Sequence, residues 1–152
     1  MKFLFFFFFL LIQFTYSKTV LNWDVLRSYQ DHNNSSSAIV LSFDKKMVQI
    51  SGFILPFIED ESKEMVDRFI LVPDPLVSYE TSLPHLNQMV YVQMKEPIPI
   101  DIDFRGILLT GIFSVKKDGT NRQPYFEFYG FFAKEANLDS RYFSKSYALQ
   151  SY

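Results

Sequence analysis

The side chains best suited to chemistry in this chain sit together in one proline-broken stretch: Ser78, Glu80 and His85, with Asp74 just upstream. A serine, a histidine and a carboxylate are the parts of a hydrolytic triad, in which the imidazole takes the hydroxyl proton and the acid holds the imidazole in place. That chemistry also needs a positioned oxyanion hole, and the sequence has no Gly-x-Ser-x-Gly elbow. Asp74, Glu80 and His85 are also the donors of an oxygen- and nitrogen-ligated metal site. Neither His85 nor His32 has a second histidine or a cysteine beside it, however, so surface histidine is the favoured reading of both. The absence of cysteine removes thiolate metal sites, Cys nucleophiles, disulfides and Cys-linked lipid anchors. There is no phosphate loop and no dinucleotide fingerprint, and no cofactor is implied.

Tyr125, Tyr129 and Phe131 offer a second chemistry, base stacking on a strand. The net charge is -2, and -3 once Lys2 is removed with the leader described below, without any basic stripe, so a phosphate backbone would be repelled. Core packing of these aromatics is the expectation, and nucleic acid is not an expected partner. With 152 residues, 48% hydrophobic and 21% charged, the chain is long enough for one globular domain and too apolar for a disordered polyelectrolyte.

Lys2 followed by the apolar run 3–12 and then Thr15-Tyr16-Ser17 has the pattern of a secretory signal peptide. The apolar core is too short to span hydrocarbon, which takes roughly 20 residues. Thr15 and Ser17 supply the small side chains that signal peptidase accepts. The expected division is a signal peptide over 1–17, one domain over 18–133 and a tail over 134–152. The mature protein is then exported, periplasmic or secreted, with no transmembrane segment.

The elements that must position these residues are mostly strands. Residues 22–29 read as a short helix capped by Asn22, with Asp24 complementing the dipole, Val25, Leu26 and Tyr29 on one stripe and Trp23 as its anchor. The tract 31–37 reads as a flexible loop whose Asn-x-Ser sequons matter only in a eukaryote. A β-hairpin follows, 38–43 and 46–54 around Asp44-Lys45, with Val48, Ile50, Gly52 and Ile54 on one face and a bulge or bend at Gly52. Residues 59–64 read as a solvated loop or single helical turn and 69–72 as an apolar strand. Further strands are expected at 88–94, at 106–115 after a proline-bounded link over 97–99, and at 124–133. In the last, Phe126, Phe128, Gly130 and Phe132 share one side. The fold class is mainly β: a small OB-like, partly open antiparallel barrel with an N-terminal helix. Its expected core is Val48, Ile50, Ile70, Val90, Val92, Leu108, Phe126 and Phe128.

The order of Leu21-Asn22-Trp23-Asp24-Val25-Leu26, Val48-Gln49-Ile50-Ser51-Gly52-Phe53-Ile54-Leu55-Pro56, Phe69-Ile70-Leu71-Val72-Pro73, Asn87-Gln88-Met89-Val90-Tyr91-Val92 and the stretch from Gly106 to Gly111 resembles the bacterial domain-of-unknown-function family 3299, small exported proteins. In that family the loop before Asn-Gln carries a Cys-x-His pair followed by prolines. Counting back from Asn87 puts Ser78 at the Cys position and Glu80 at the His position, and only Pro84 remains of the proline run. Cys-x-His on an extended segment suits a soft metal or a reactive thiolate; Ser78 and Glu80 suit neither.

The resemblance therefore implies an exported, non-enzymatic binding or accessory protein of the cell envelope, associated with a transporter or other envelope partner. The alternative is a small metal-binding or hydrolytic protein using the loop 74–88. The expected functional surface in either case is that loop, with Ser78, Tyr79, Glu80, Leu83, His85, Asn87 and Gln88, because it is long, irregular and held between two apolar strands.

Overall fold

The computed structural model describes residues 19–29, 35–60, 64–77, 84–100, 106–116 and 124–136. Five strands, β1 (Met47–Pro56), β2 (Met65–Val72), β3 (Val90–Pro99), β4 (Ile107–Val115) and β5 (Phe126–Glu135), close into a barrel in the order β1-β2-β3-β5-β4. All neighbours are antiparallel except β3 and β5, which run parallel. The small OB-like barrel expected from the sequence is present, and its ring is closed.

Strand alternation builds the interior. Val48 and Ile50 from β1, Phe69 and Leu71 from β2, Val90, Val92 and Met94 from β3, Leu109 and Phe113 from β4, and Phe126 and Phe128 from β5 are all buried in one cluster. Two expected core residues take other places. Leu108 is half-buried on the outside, because the inward parity of β4 falls on Leu109. Ile70 is buried in a second cluster on the outer face, with Phe53, Leu55, Val72 and Met89.

Gly52 marks the corner of β1. Met47 to Gly52 pair with β4, whereas Phe53 to Pro56 pair with β2. An added Cβ there would meet the Val72 carbonyl oxygen at 2.7 Å, so only glycine lets the strands approach this closely. The edge of β1 away from β4 is covered at Gln49 by the N-terminal segment: Leu21 N–H donates to Gln49 O (2.8 Å) and Gln49 N–H to Thr19 O (2.9 Å).

Helix α1 (Trp23–Arg27) begins as expected, with Asn22 Oδ1 accepting from Val25 N–H at 2.9 Å. Trp23 anchors it by donating from Nε1 to Ser51 O at 2.7 Å. Leu26 and Tyr29 reach the barrel cluster, where the Tyr29 ring lies 5.4 Å from Phe126 and 5.5 Å from Tyr125. α1 thus covers the barrel end where β3 and β5 begin.

The expected hairpin arm over 38–43 is not a strand. Helix α2 (Ser35–Leu41) takes in part of the presumed loop and most of that arm, Val40 enters the barrel cluster, and Ser42 N–H bonds Ala38 O at 3.0 Å. The reason is competition: β1 is already bonded to β4, β2 and the Thr19–Leu21 segment, so no edge is left for another strand. The turn itself survives, with Lys45 at φ 59 and Asp44 Oδ1 accepting from Val115 N–H at 2.8 Å.

Three smaller expectations are corrected. Residues 97–99 belong to β3, where Ile98 pairs Val66 and Pro99 pairs Met65 beyond a bulge between Val66 and Arg68. The acidic segment opens on a single helical turn, one of its two expected forms, but this 3-10 turn (Ile58–Asp60) is not wholly solvated and buries Asp60. Phe132 does not share the side of Phe128; it is 73% exposed. The turn expected at 117–120 and the tract 31–34 lie outside the described residues.

Candidate functional site

Both described ends of the 74–88 loop are fastened to the barrel. After β2, Asp74 Oδ1 accepts from Leu76 N–H at 2.9 Å, an Asx turn that directs Val77 back onto the outer cluster. Before β3, the 3-10 turn Leu86–Gln88 is closed by Gln88 N–H donating to His85 O at 2.8 Å, and Leu86 and Met89 pack on the same cluster beside Phe57 and Tyr91. The two described ends of this strap thus lie on the outer surface of β1, β2 and β3. The β2–β3 outer surface is where OB barrels commonly accept oligonucleotides or oligosaccharides, and part of it is taken here by the chain itself.

Asn87 ties the strap to α1. Its Nδ2 donates to Arg27 O at 2.9 Å and to Tyr29 O at 3.2 Å. Carbonyls at a helix C-terminus have no partner within the helix, and here one amide group serves two acceptors at and just beyond the end of α1. The backbone that Asn87 organises is a helix far away in sequence. Asn87 Oδ1 is buried and has no hydrogen-bond partner.

Of the other expected site residues, His85 is exposed and makes no side-chain capping bond, and Gln88 is half-buried. Ser78, Tyr79, Glu80 and Leu83 lie outside the described residues, as does His32. Neither the Ser78–His85–acid combination nor the set of Asp74, Glu80 and His85 is therefore seen assembled. The Asp74 carboxylate is engaged with its own turn. Among the described residues there is no group of three or more His, Asp or Glu side chains that could hold a metal ion.

The aromatics of β5 need correction. Tyr125 is half-buried against the core, but Tyr129 is 43% exposed and Phe131 is half-buried, with rings 5.3 Å apart and nearly perpendicular. Tyr129 faces outward by alternation with the buried Phe128, and just beyond it the ladder carries a bulge. Gly111 pairs Gly130 and Thr110 pairs Phe132, leaving Phe131 as the extra residue and reversing the parity beyond it. Gly111 permits this, because a Cβ there would overlap the Tyr129 carbonyl oxygen. The sequence signal was two glycines in strands destined to pair, which alternation within one strand does not reveal.

The family model for DUF3299, a protein of unknown function, matches residues 16–125. No curated relative matches the chain. Among solved structures, the crystal structure of a DUF3299 family protein (PA4066) from Pseudomonas aeruginosa PAO1 is similar. It shares 17% sequence identity with a TM-score of 0.52, covering 81% of this chain and 99% of that one. At this identity the likeness speaks for the fold alone. The family match takes in both helices and four of the five strands, and with them the whole strap. The chain belongs to the DUF3299 family, proteins of unknown function.

Proposed function

We propose that this protein is an exported, non-enzymatic binding or accessory module of the bacterial cell envelope, and that it engages a transporter or other envelope partner through the strap between β2 and β3. The observation that carries this reading is the double fastening of the strap, by Asn87 to the end of α1 and by Val77, Leu86 and Met89 to the barrel. A loop whose ends are fixed offers its middle residues at low ordering cost, which favours binding. Tyr79 and Leu83 are the apolar side chains there suited to anchoring a partner, since a few aromatic and aliphatic anchors carry most interface energy. Ser78 and Glu80, in place of a Cys-x-His pair, argue against thiolate or soft-metal chemistry. Export follows from the apolar leader and the Thr15-x-Ser17 site.

Two measurements test this. Mass spectrometry of the exported protein should find Lys18 at the N-terminus; an intact Met1 in the membrane fraction would refute export. Photo-crosslinkers placed at positions 79 and 83 in growing cells should give one discrete adduct, which Asn87→Ala weakens. Calorimetry showing submicromolar zinc binding abolished by Glu80→Ala or His85→Ala would replace the binding role with a metal-dependent one.

A further inference from the structure

The outer face formed by β4 with the first half of β1 and with β5 is convex and carries exposed apolar side chains, whereas the ends of the strap sit on the second half of β1, on β2 and on the start of β3. Its rows follow from the register. Met47, Ile112 and Tyr129 lie side by side, and Gln49, Thr110 and Phe132 form the next row. Met47 is 44% exposed and Tyr129 43%, with Phe132 the most exposed at 73% and Phe131 packed edge-on against Tyr129. Gln49 Nε2 donates to Thr110 Oγ1 at 2.8 Å, so the polar side chains between the apolar ones are bonded to each other.

Charge brackets this face at both ends. At one, Lys45 Nζ donates to Ser114 Oγ at 3.0 Å; at the other, Lys134 pairs in register with Leu108. β4 between them carries no charged residue, and the acid beside Ser114, Glu127, is bound to Lys116 at 2.6 Å. A bulge has turned Phe132 outward where unbroken alternation would have buried it, and bulges that re-aim a side chain are features a fold retains.

We propose that this face seats the protein on a bilayer surface bearing anionic lipid headgroups. Phe132, Tyr129 and Met47 enter the interfacial region, and Lys45 and Lys134 meet the headgroup phosphates. Aromatic rings with a polar edge and lysines with long apolar stems are the side chains that settle at this boundary. On this face β1, β4 and β5 are bonded to one another side by side, so a ligand here meets side chains rather than a strand edge, and a convex face meets a deformable lipid surface over more area than it meets another convex protein. The flanking lysines complement anionic headgroups although the chain as a whole is acidic. This surface is independent of the strap and of any partner bound there.

The test is flotation of the chain with its leader removed, which retains every described element, with vesicles of phosphatidylcholine alone or mixed with phosphatidylglycerol. The protein should float with the mixed vesicles at low salt and less with the neutral ones. Phe132→Ser and Tyr129→Ser should each lower the partition coefficient about tenfold or more, on the scale of losing one inserted ring. Lys45→Glu with Lys134→Glu should abolish the preference for phosphatidylglycerol, while Tyr79→Ala in the strap leaves flotation unchanged. Circular dichroism and melting temperature should be the same for all of these. Failure of the parent chain to float, or undiminished flotation of Phe132→Ser, would overturn the proposal. Light scattering that shows a dimer which Phe132→Ser makes monomeric, without vesicle binding, would assign the face to a second copy of the chain.

Discussion

Asn87 and Phe128 are the two residues whose replacement says most about this fold. Asn87→Ala removes the hydrogen bonds to the Arg27 and Tyr29 carbonyls, and should cost about 1–3 kcal/mol in urea denaturation. Asn87→Asp should cost more than Asn87→Ala, because it turns an acceptor toward two acceptors. Amide exchange in residues 85–89 should quicken in both variants before the barrel strands are affected. Phe128 is fully enclosed, so Phe128→Ala should cost about 3–5 kcal/mol, a large share of the roughly 5–15 that holds a domain of this size together. Phe132→Ala, four positions along the same strand, should change stability by no more than about 0.5 kcal/mol. Equal losses at the two positions would mean that the bulge in β5 is absent in solution.

That bulge is where the prediction for a whole element lies. Gly111→Ala must displace the Tyr129 carbonyl or undo the register shift between β4 and β5, and should destabilise by about 1–3 kcal/mol or more. Hydrogen-exchange protection should fall along both strands rather than at position 111 alone. The same pair of strands shows what a single sequence can and cannot convey. Alternation in β1 and the first half of β5 was legible because one face of each is buried, and Asn22 was legible as a cap because its role is local. The identity of α2 was not: a short apolar run after serines suits a strand or a helix, and the choice fell to which edges of β1 were already taken. Phe132 was misplaced because its orientation depends on a glycine in another strand. In the candidate site, the strap was legible from its prolines and polar residues, whereas its fastening was not, since the carbonyls that Asn87 satisfies belong to a helix nearly sixty residues earlier in the chain.

Across the whole molecule, the barrel is a ring with no terminal strand. β1 is held by β2 on one side and by β4 on the other, and β5 alone joins β3 to β4. Removing β5 by ending the chain at residue 123 would take Phe126 and Phe128 out of the core and leave two long edges; near-ultraviolet circular dichroism should then show no cooperative transition. The register joining Met47 to Ile112 closes a loop of about 65 residues, so folding of the intact chain should be a millisecond-to-second process of the kind seen for barrels rich in non-local contacts. Stopped-flow tryptophan fluorescence can follow it through Trp23, which is buried between α1 and β1. The timing has a consequence for biosynthesis. A nascent chain that has yet to complete β5 has nothing to close on, however much of it has left the ribosome. It stays without a closed core until its last strand is made.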